Sequence, residues 1–147
     1  MKPITCFAAL GAALLAGCVT VHEAEAPTIS PAAKTVLVPG NPLYSAAVRQ
    51  GDTIWLAGVI GRSETGDVRE ATRQAMDAVK TNIEAAGGSF SDLVKCIVYM
   101  TDIEQYAPMN EVYATYFERE PPARTAIAVS ALPFGALVEI TCVAAAR

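Results

Sequence analysis

The stretch PPARTAIAVSALPFGALVEI, residues 121–140, decides how this chain is read. Its apolar residues alternate on either side of Leu132-Pro133-Phe134-Gly135, as two strands would around a turn. In the first strand Arg124, Ala126 and Ala128 point one way, while Thr125, Ile127 and Val129 point the other. Alanines fill little space, so the face that carries Arg124 has room beside a guanidinium. The second strand sets Glu139 between Val138 and Ile140. With a turn centred on Pro133-Phe134, Glu139 falls opposite Ala128, about 13 Å along the strand from Arg124 at ~3.3 Å per residue. Arg124 suits an edge or inter-subunit salt bridge, or a carboxylate clamp, because its planar fork matches two oxygens. Arg124 and Glu139 would meet only through long side chains, a ligand between them, or a neighbouring subunit.

Working outward, residues 106–118 carry Met109, Val112, Tyr113, Tyr116 and Phe117 at helical spacing, and Pro121-Pro122 ends that helix. The Met and aromatic stripe is core in the first instance. A strand spans 93–100. Before it, Val68, Ala71, Ala75, Met76, Val79, Ile83 and Ala86 form the apolar stripe of a longer helix. Asp67 with Glu70 offers a capping box at its start, and Gly87-Gly88 ends it. Residues 35–38, 44–48 and 53–60 read as strands, the last two joined by Gln50-Gly51-Asp52. The order β-β-β-α-β-α-β-β predicts a two-layer α+β domain with a six-stranded mixed sheet and both helices on one face. Strands 53–60 and 93–100 present apolar side chains to both faces, so the uncovered face predicts a homo-oligomer.

The N-terminus is of another kind. Lys2 precedes an apolar run over 4–16, the pattern of a secretory signal and too short for a membrane span of roughly 20 residues. Leu15-Ala16-Gly17-Cys18 resembles a bacterial lipobox, in which Cys18 is lipidated and becomes the first mature residue. The expected organisation is a lipoprotein signal peptide over 1–17, a flexible tether over 18–33 and a domain over 34–147. Alkyl chains on Cys18 anchor such a protein in the bacterial cell envelope facing the periplasm. Val19 in place of Asp resembles the choice for outer-membrane sorting. The formal charge of −4 at pH 7, with Lys and Arg scattered singly, excludes a nucleic-acid footprint. Cys96 and Cys142 lie in apolar runs, which points to inert buried thiols, with a disulfide between them as the alternative in an oxidising compartment. No two cysteines have metal-ligand spacing and the single histidine, His22, lies in the tether, so no zinc site is expected.

The segments LYSAAVRQGDTIWLAGVIG (43–61), DIEQYAPMNEVYATYF (102–117) and PPARTAIAVSALPFGALVEITCVA (121–144) together resemble the RidA/YjgF/UK114 family of enamine/imine deaminases. The resemblance runs from about residue 41 to the C-terminus, and Pro-Ala-Arg, a Leu-Pro turn and Val-Glu-Ile are its most specific marks. It implies a chorismate-mutase-like fold, a homotrimer whose sheets form a central barrel, and sites in the clefts between subunits. It also implies hydrolysis of 2-aminoacrylate-type α-imino acids to 2-keto acids and ammonia without a cofactor. In that scheme Arg124 holds the substrate carboxylate and Glu139 stands by the attacking water. Tyr44, Gly58 and Asn110 border the pocket. Ala57 stands where deaminating members usually have serine, and Ala126 where they have cysteine. Those departures leave a second reading, a binding module that keeps the carboxylate clamp without catalysis.

Overall fold

The computed structural model describes residues 33–147. The apolar leader, Cys18, His22 and nearly all of the tether therefore lie outside the described residues.

Strands β1 (Thr35–Val38), β2 (Ala47–Gln50), β3 (Thr53–Leu56) and β4 (Val59–Gly61) come first. Helix α1 (Val68–Ala85), β5 (Leu93–Met100), helix α2 (Tyr106–Ala114), β6 (Ala123–Ala128) and β7 (Val138–Ala145) follow. The sheet runs β1-β2-β3-β7-β5-β6, and β4 pairs with β7 beyond the end of β3. The expected strand over 53–60 is thus one strand broken at Ala57-Gly58, and counted so the mixed sheet has the six strands expected. At the break, Thr141 donates its hydroxyl to the Leu56 carbonyl at 3.0 Å and the Ala57 amide turns to Ala46 at 2.9 Å. These two bonds satisfy the Leu56 carbonyl and the Ala57 amide where the backbone pairing with β7 is interrupted.

Both helices cover one face. Ala71, Ala75, Met76, Val79 and Ile83 of α1 are 0–1% exposed, with Met109 of α2 and Val98, Met100, Val138 and Ile140 beneath them. Each such large side chain contributes roughly 1.5–3 kcal/mol on burial. Gly61 lets α1 approach, since a Cβ there would collide with the Ala71 carbonyl oxygen. The capping box does not form. Asp67 caps the Arg69 amide at 2.9 Å, while Glu70 accepts from the Ser63 hydroxyl at 2.6 Å. Helix α2 ends at Ala114, four residues short of the expected 118, where Thr115 bonds the Val112 carbonyl through both its amide and its hydroxyl.

The largest correction concerns the opening stretch. Residues 121–140 do form two strands, yet not a hairpin. β6 lies at the sheet edge, parallel to β5, and β7 lies on the other side of β5, antiparallel to it. The reason is the segment before β6: a strand, a helix and a strand in sequence make a crossover, which returns the chain parallel. Glu139 therefore sits opposite Tyr99 rather than Ala128. The second correction is chemical. Cys96 and Cys142 are register partners on β5 and β7, each 1% exposed, and are joined as a disulfide rather than held as thiols. Closing a loop with a sequence separation of 46 stabilises by about 4 kcal/mol on the chain-entropy account.

Candidate functional site

Arg124 and Ala126 share the helix-facing side of β6, because their register partners are the buried Cys96 and Val98 of β5. Arg124 reaches α2. Its Nη2 donates to the Tyr106 hydroxyl at 3.0 Å, and its guanidinium carbon lies 4.6 Å from the Tyr113 ring centre and 5.6 Å from that of Tyr106. Contacts of this kind hold a cation in place without neutralising it. Among the described residues no carboxylate lies within 4.0 Å of Arg124, so the salt bridge considered from the sequence is not made within the chain. Asn110 and Tyr113 line the same depression of about 360 Å³, closed on one side by Pro121-Pro122. The Asn110 Oδ1 and the Tyr113 hydroxyl are buried there with no hydrogen-bond partner among the described residues.

The tyrosines titrate in opposite directions. The Asn110 amide, and then the Arg124 guanidinium, hold the Tyr106 hydroxyl below its usual value. Burial pushes Tyr113 up, with Arg124 opposing it only in part.

Glu139 points the other way. On β7 the buried Val138 and Ile140 face the helices, so Glu139 between them projects from the opposite face of the sheet. It lines a second depression, of about 650 Å³, with Tyr44, Ala57, Gly58, Ile60, Pro133 and Phe134 among the walls. Gly58 is there for Glu139, since a Cβ on it would overlap the Glu139 Oε1. Tyr44 stands not in a strand, as expected, but in the turn that Asn41 closes by accepting from the Leu43 amide at 2.8 Å. Its side chain is exposed at the mouth of this depression.

Within one protomer, then, the named residues fall into two groups that share no wall. Arg124, Asn110 and, next to Arg124 on the same face, Ala126 lie on one side of the sheet. Glu139, Tyr44, Ala57 and Gly58 lie on the other. Sequence reasoning missed Tyr106 as a support of Arg124 and treated Tyr113 as core only. The signal was present: Tyr106, Asn110 and Tyr113 are spaced i, i+4, i+7 and share one helix face.

Residues 37–146 match the family described as endoribonuclease L-PSP. A RutC family protein of Pyrococcus horikoshii is 42% identical over 107 residues, covering 69% of this chain and 85% of that protein. The 2-iminobutanoate/2-iminopropanoate deaminase of Rattus norvegicus is 38% identical over 107 residues, 69% of this chain and 78% of its own length. The crystal structure of a Mycobacterium tuberculosis protein, described as a member of the YjgF/YER057c/UK114 family, superposes with a TM-score of 0.70 at 31% identity, covering 77% of this chain and 99% of that one. The fold, the matched length and these identities agree: this chain belongs to the endoribonuclease L-PSP family, the RidA/YjgF proteins whose members include imine deaminases.

Proposed function

We propose that this protein hydrolyses α-imino acids of the 2-aminoacrylate type to 2-keto acids and ammonia, at sites shared between the subunits of a homotrimer in the cell envelope. One observation carries the reading. Arg124 and Glu139 open on opposite faces of the sheet, so a ligand that needs both must take them from two copies of the chain. The uncovered face is suited to such an assembly, because Val36, Trp55 and Ile127 are 49%, 50% and 41% exposed on it.

The chemistry follows from the two halves. Arg124 of one subunit binds the substrate carboxylate through charge-assisted hydrogen bonds. The neighbouring Glu139 accepts a proton from water as the oxygen bonds to the imine carbon, and the C=N pair moves to nitrogen. Glu139 returns that proton to the nitrogen, giving the neutral carbinolamine. Its hydroxyl proton then passes to the nitrogen through Glu139 as the C–N bond breaks, so ammonia leaves and the carbonyl of the 2-keto acid forms. Positioned acid–base help of this kind contributes about 10²–10⁴-fold. Ribonuclease action, the other activity attached to the family name, calls for a basic groove with stacking aromatics, and the net charge of −4 argues against it. Placement in the envelope rests on the Cys18 motif and on the core disulfide, which persists in oxidising compartments.

Ala57 and Ala126 favour the second reading, a carboxylate-binding module, because neither side chain brings a polar atom to the pocket. One assay separates the two. An amino-acid oxidase generates imino acids in the presence of semicarbazide, and the purified protein competes for them. Suppressed semicarbazone formation, lost in Arg124→Ala, is the result expected of a deaminase. An intact wild-type trimer that leaves the semicarbazone yield unchanged would move the assignment to the binding module.

A further inference from the structure

The loop between β6 and β7 carries a feature that packing among the described residues does not explain. Phe134 has φ 57 and ψ 27, the left-handed region, followed by Gly135 at φ 70. An aromatic side chain is uncommon there and its backbone is strained. The ring is 83% exposed and belongs to no part of the core cluster. A second turn residue, Pro133, fixes the approach to it, and the Ala136 amide closes the turn on the Pro133 carbonyl at 3.1 Å. Strain and an exposed apolar ring are thus held together at one point, on the ridge between the Glu139 depression and a polar one lined by Arg62, Ser63, Glu64 and Glu70.

We propose that Phe134 is a specificity-determining residue, and that the preferred substrates are α-imino acids with bulky apolar side chains, branched or aromatic, rather than the one-carbon side chain of 2-iminopropanoate. The inference rests on the deaminase reading above and names the substrate class of that site. Water held by Glu139 attacks the carbon that also bears the substrate side chain, so that side chain must lie within a few bond lengths of Glu139. Of the other substituents on that carbon, the carboxylate is directed to Arg124 and the nitrogen leaves. The remaining substituent meets the walls of the depression, and apart from Glu139 these are apolar or aromatic: Ala57, Ile60, Pro133, Phe134 and the Tyr44 ring. Ala57 adds a methyl group to the wall and no hydroxyl. The volume of about 650 Å³ exceeds what a single methyl group fills. An exposed ring on a short turn is placed to lie over an apolar side chain, and each methylene it helps to bury is worth about fourfold in kcat/KM.

The test compares imines generated from alanine, leucine and phenylalanine in the same competition assay, beside calorimetric binding of pyruvate and 4-methyl-2-oxopentanoate. Wild-type protein is expected to favour the leucine and phenylalanine imines over the alanine imine by at least about tenfold. In Phe134→Ala and in Phe134→Gly, which also relieves the backbone, that ratio is expected to fall to about threefold or less. A wild-type preference for the alanine imine, or a ratio unmoved in both variants, overturns the proposal. So does dissociation of both variants in sedimentation, which would make the ring a subunit contact. Should no imine be hydrolysed, the deaminase reading fails by itself. The specificity proposal then stands if 4-methyl-2-oxopentanoate binds at least tenfold more tightly than pyruvate and loses that advantage in both variants, and it falls if the two bind alike.

Discussion

The two halves of the candidate site are built in opposite ways. Arg124 is half-buried against α2, with an aromatic ring 4.6 Å away and a tyrosine hydroxyl at 3.0 Å. Its position is set by the same packing that makes the core. Glu139 stands on the uncovered face, its space secured by the absence of a side chain at Gly58, between the exposed side chains of Tyr44 and Phe134. The difference shows how labour divides across a sheet. The helix layer can hold an arginine in place inside one protomer, because α2 sets the Tyr106 hydroxyl and the Tyr113 ring against it. On the open face the same chain leaves the carboxylate lining an open depression.

Three changes test that contrast. The strongest is Glu139→Gln, expected to lower kcat by about 10²–10⁴-fold while the KM moves little, because an amide keeps the shape and loses the base. Refolding equal amounts of Glu139→Gln and Arg124→Ala chains together should then restore about a quarter of the sites, since each mixed closed trimer has one interface with both wild-type residues. No recovery in trimers shown to be mixed would break the comparison at its base, placing the working arginine and glutamate in one chain.

Next is Gly58→Ala. The three atoms nearest to the new methyl group all belong to the flexible Glu139 side chain, so the fold should melt as before. The displaced carboxylate should cost up to about 10²-fold in kcat, as a misplacement near 1 Å does. A large fall in melting temperature instead would mean that Gly58 serves the sheet break and not Glu139.

The smallest effect belongs to Tyr106→Phe. Removing a hydroxyl that accepts from Arg124 should raise KM by about 2- to 10-fold, the worth of one hydrogen bond of 0.5–1.5 kcal/mol, and leave kcat nearly unchanged. A drop in kcat of the Glu139→Gln size would place Tyr106 at the reacting atoms and dissolve the division between an anchoring half and a reacting half.

Much of this molecule was legible beforehand, and the misses share a cause. Helix stripes are local, so the spacing over 68–86 gave α1 to within a residue at its C-terminus. Pairing is not local. The alternation over 121–140 marks two strands correctly, but period two says only which side chains share a face, not which strand lies beside which. The crossover through α2 inserted β5 between them and moved Glu139 from Ala128 to Tyr99. The same pairing set Cys96 against Cys142 and made a disulfide of two residues that apolar runs alone could not distinguish from buried thiols.

By itself the sequence determined the two-layer α+β order, the helix faces and the family motifs, whose resemblance singles out Arg124 and Glu139. Those properties follow from spacing and residue chemistry, which a chain carries before it folds. Only the tertiary structure decided that Arg124 and Glu139 look out from opposite faces of the sheet, that Tyr106 and Tyr113 brace the arginine, and that Phe134 is held strained and exposed above the glutamate. Those are consequences of which strands become neighbours and in what register, and a register is a property of the closed sheet rather than of any segment within it.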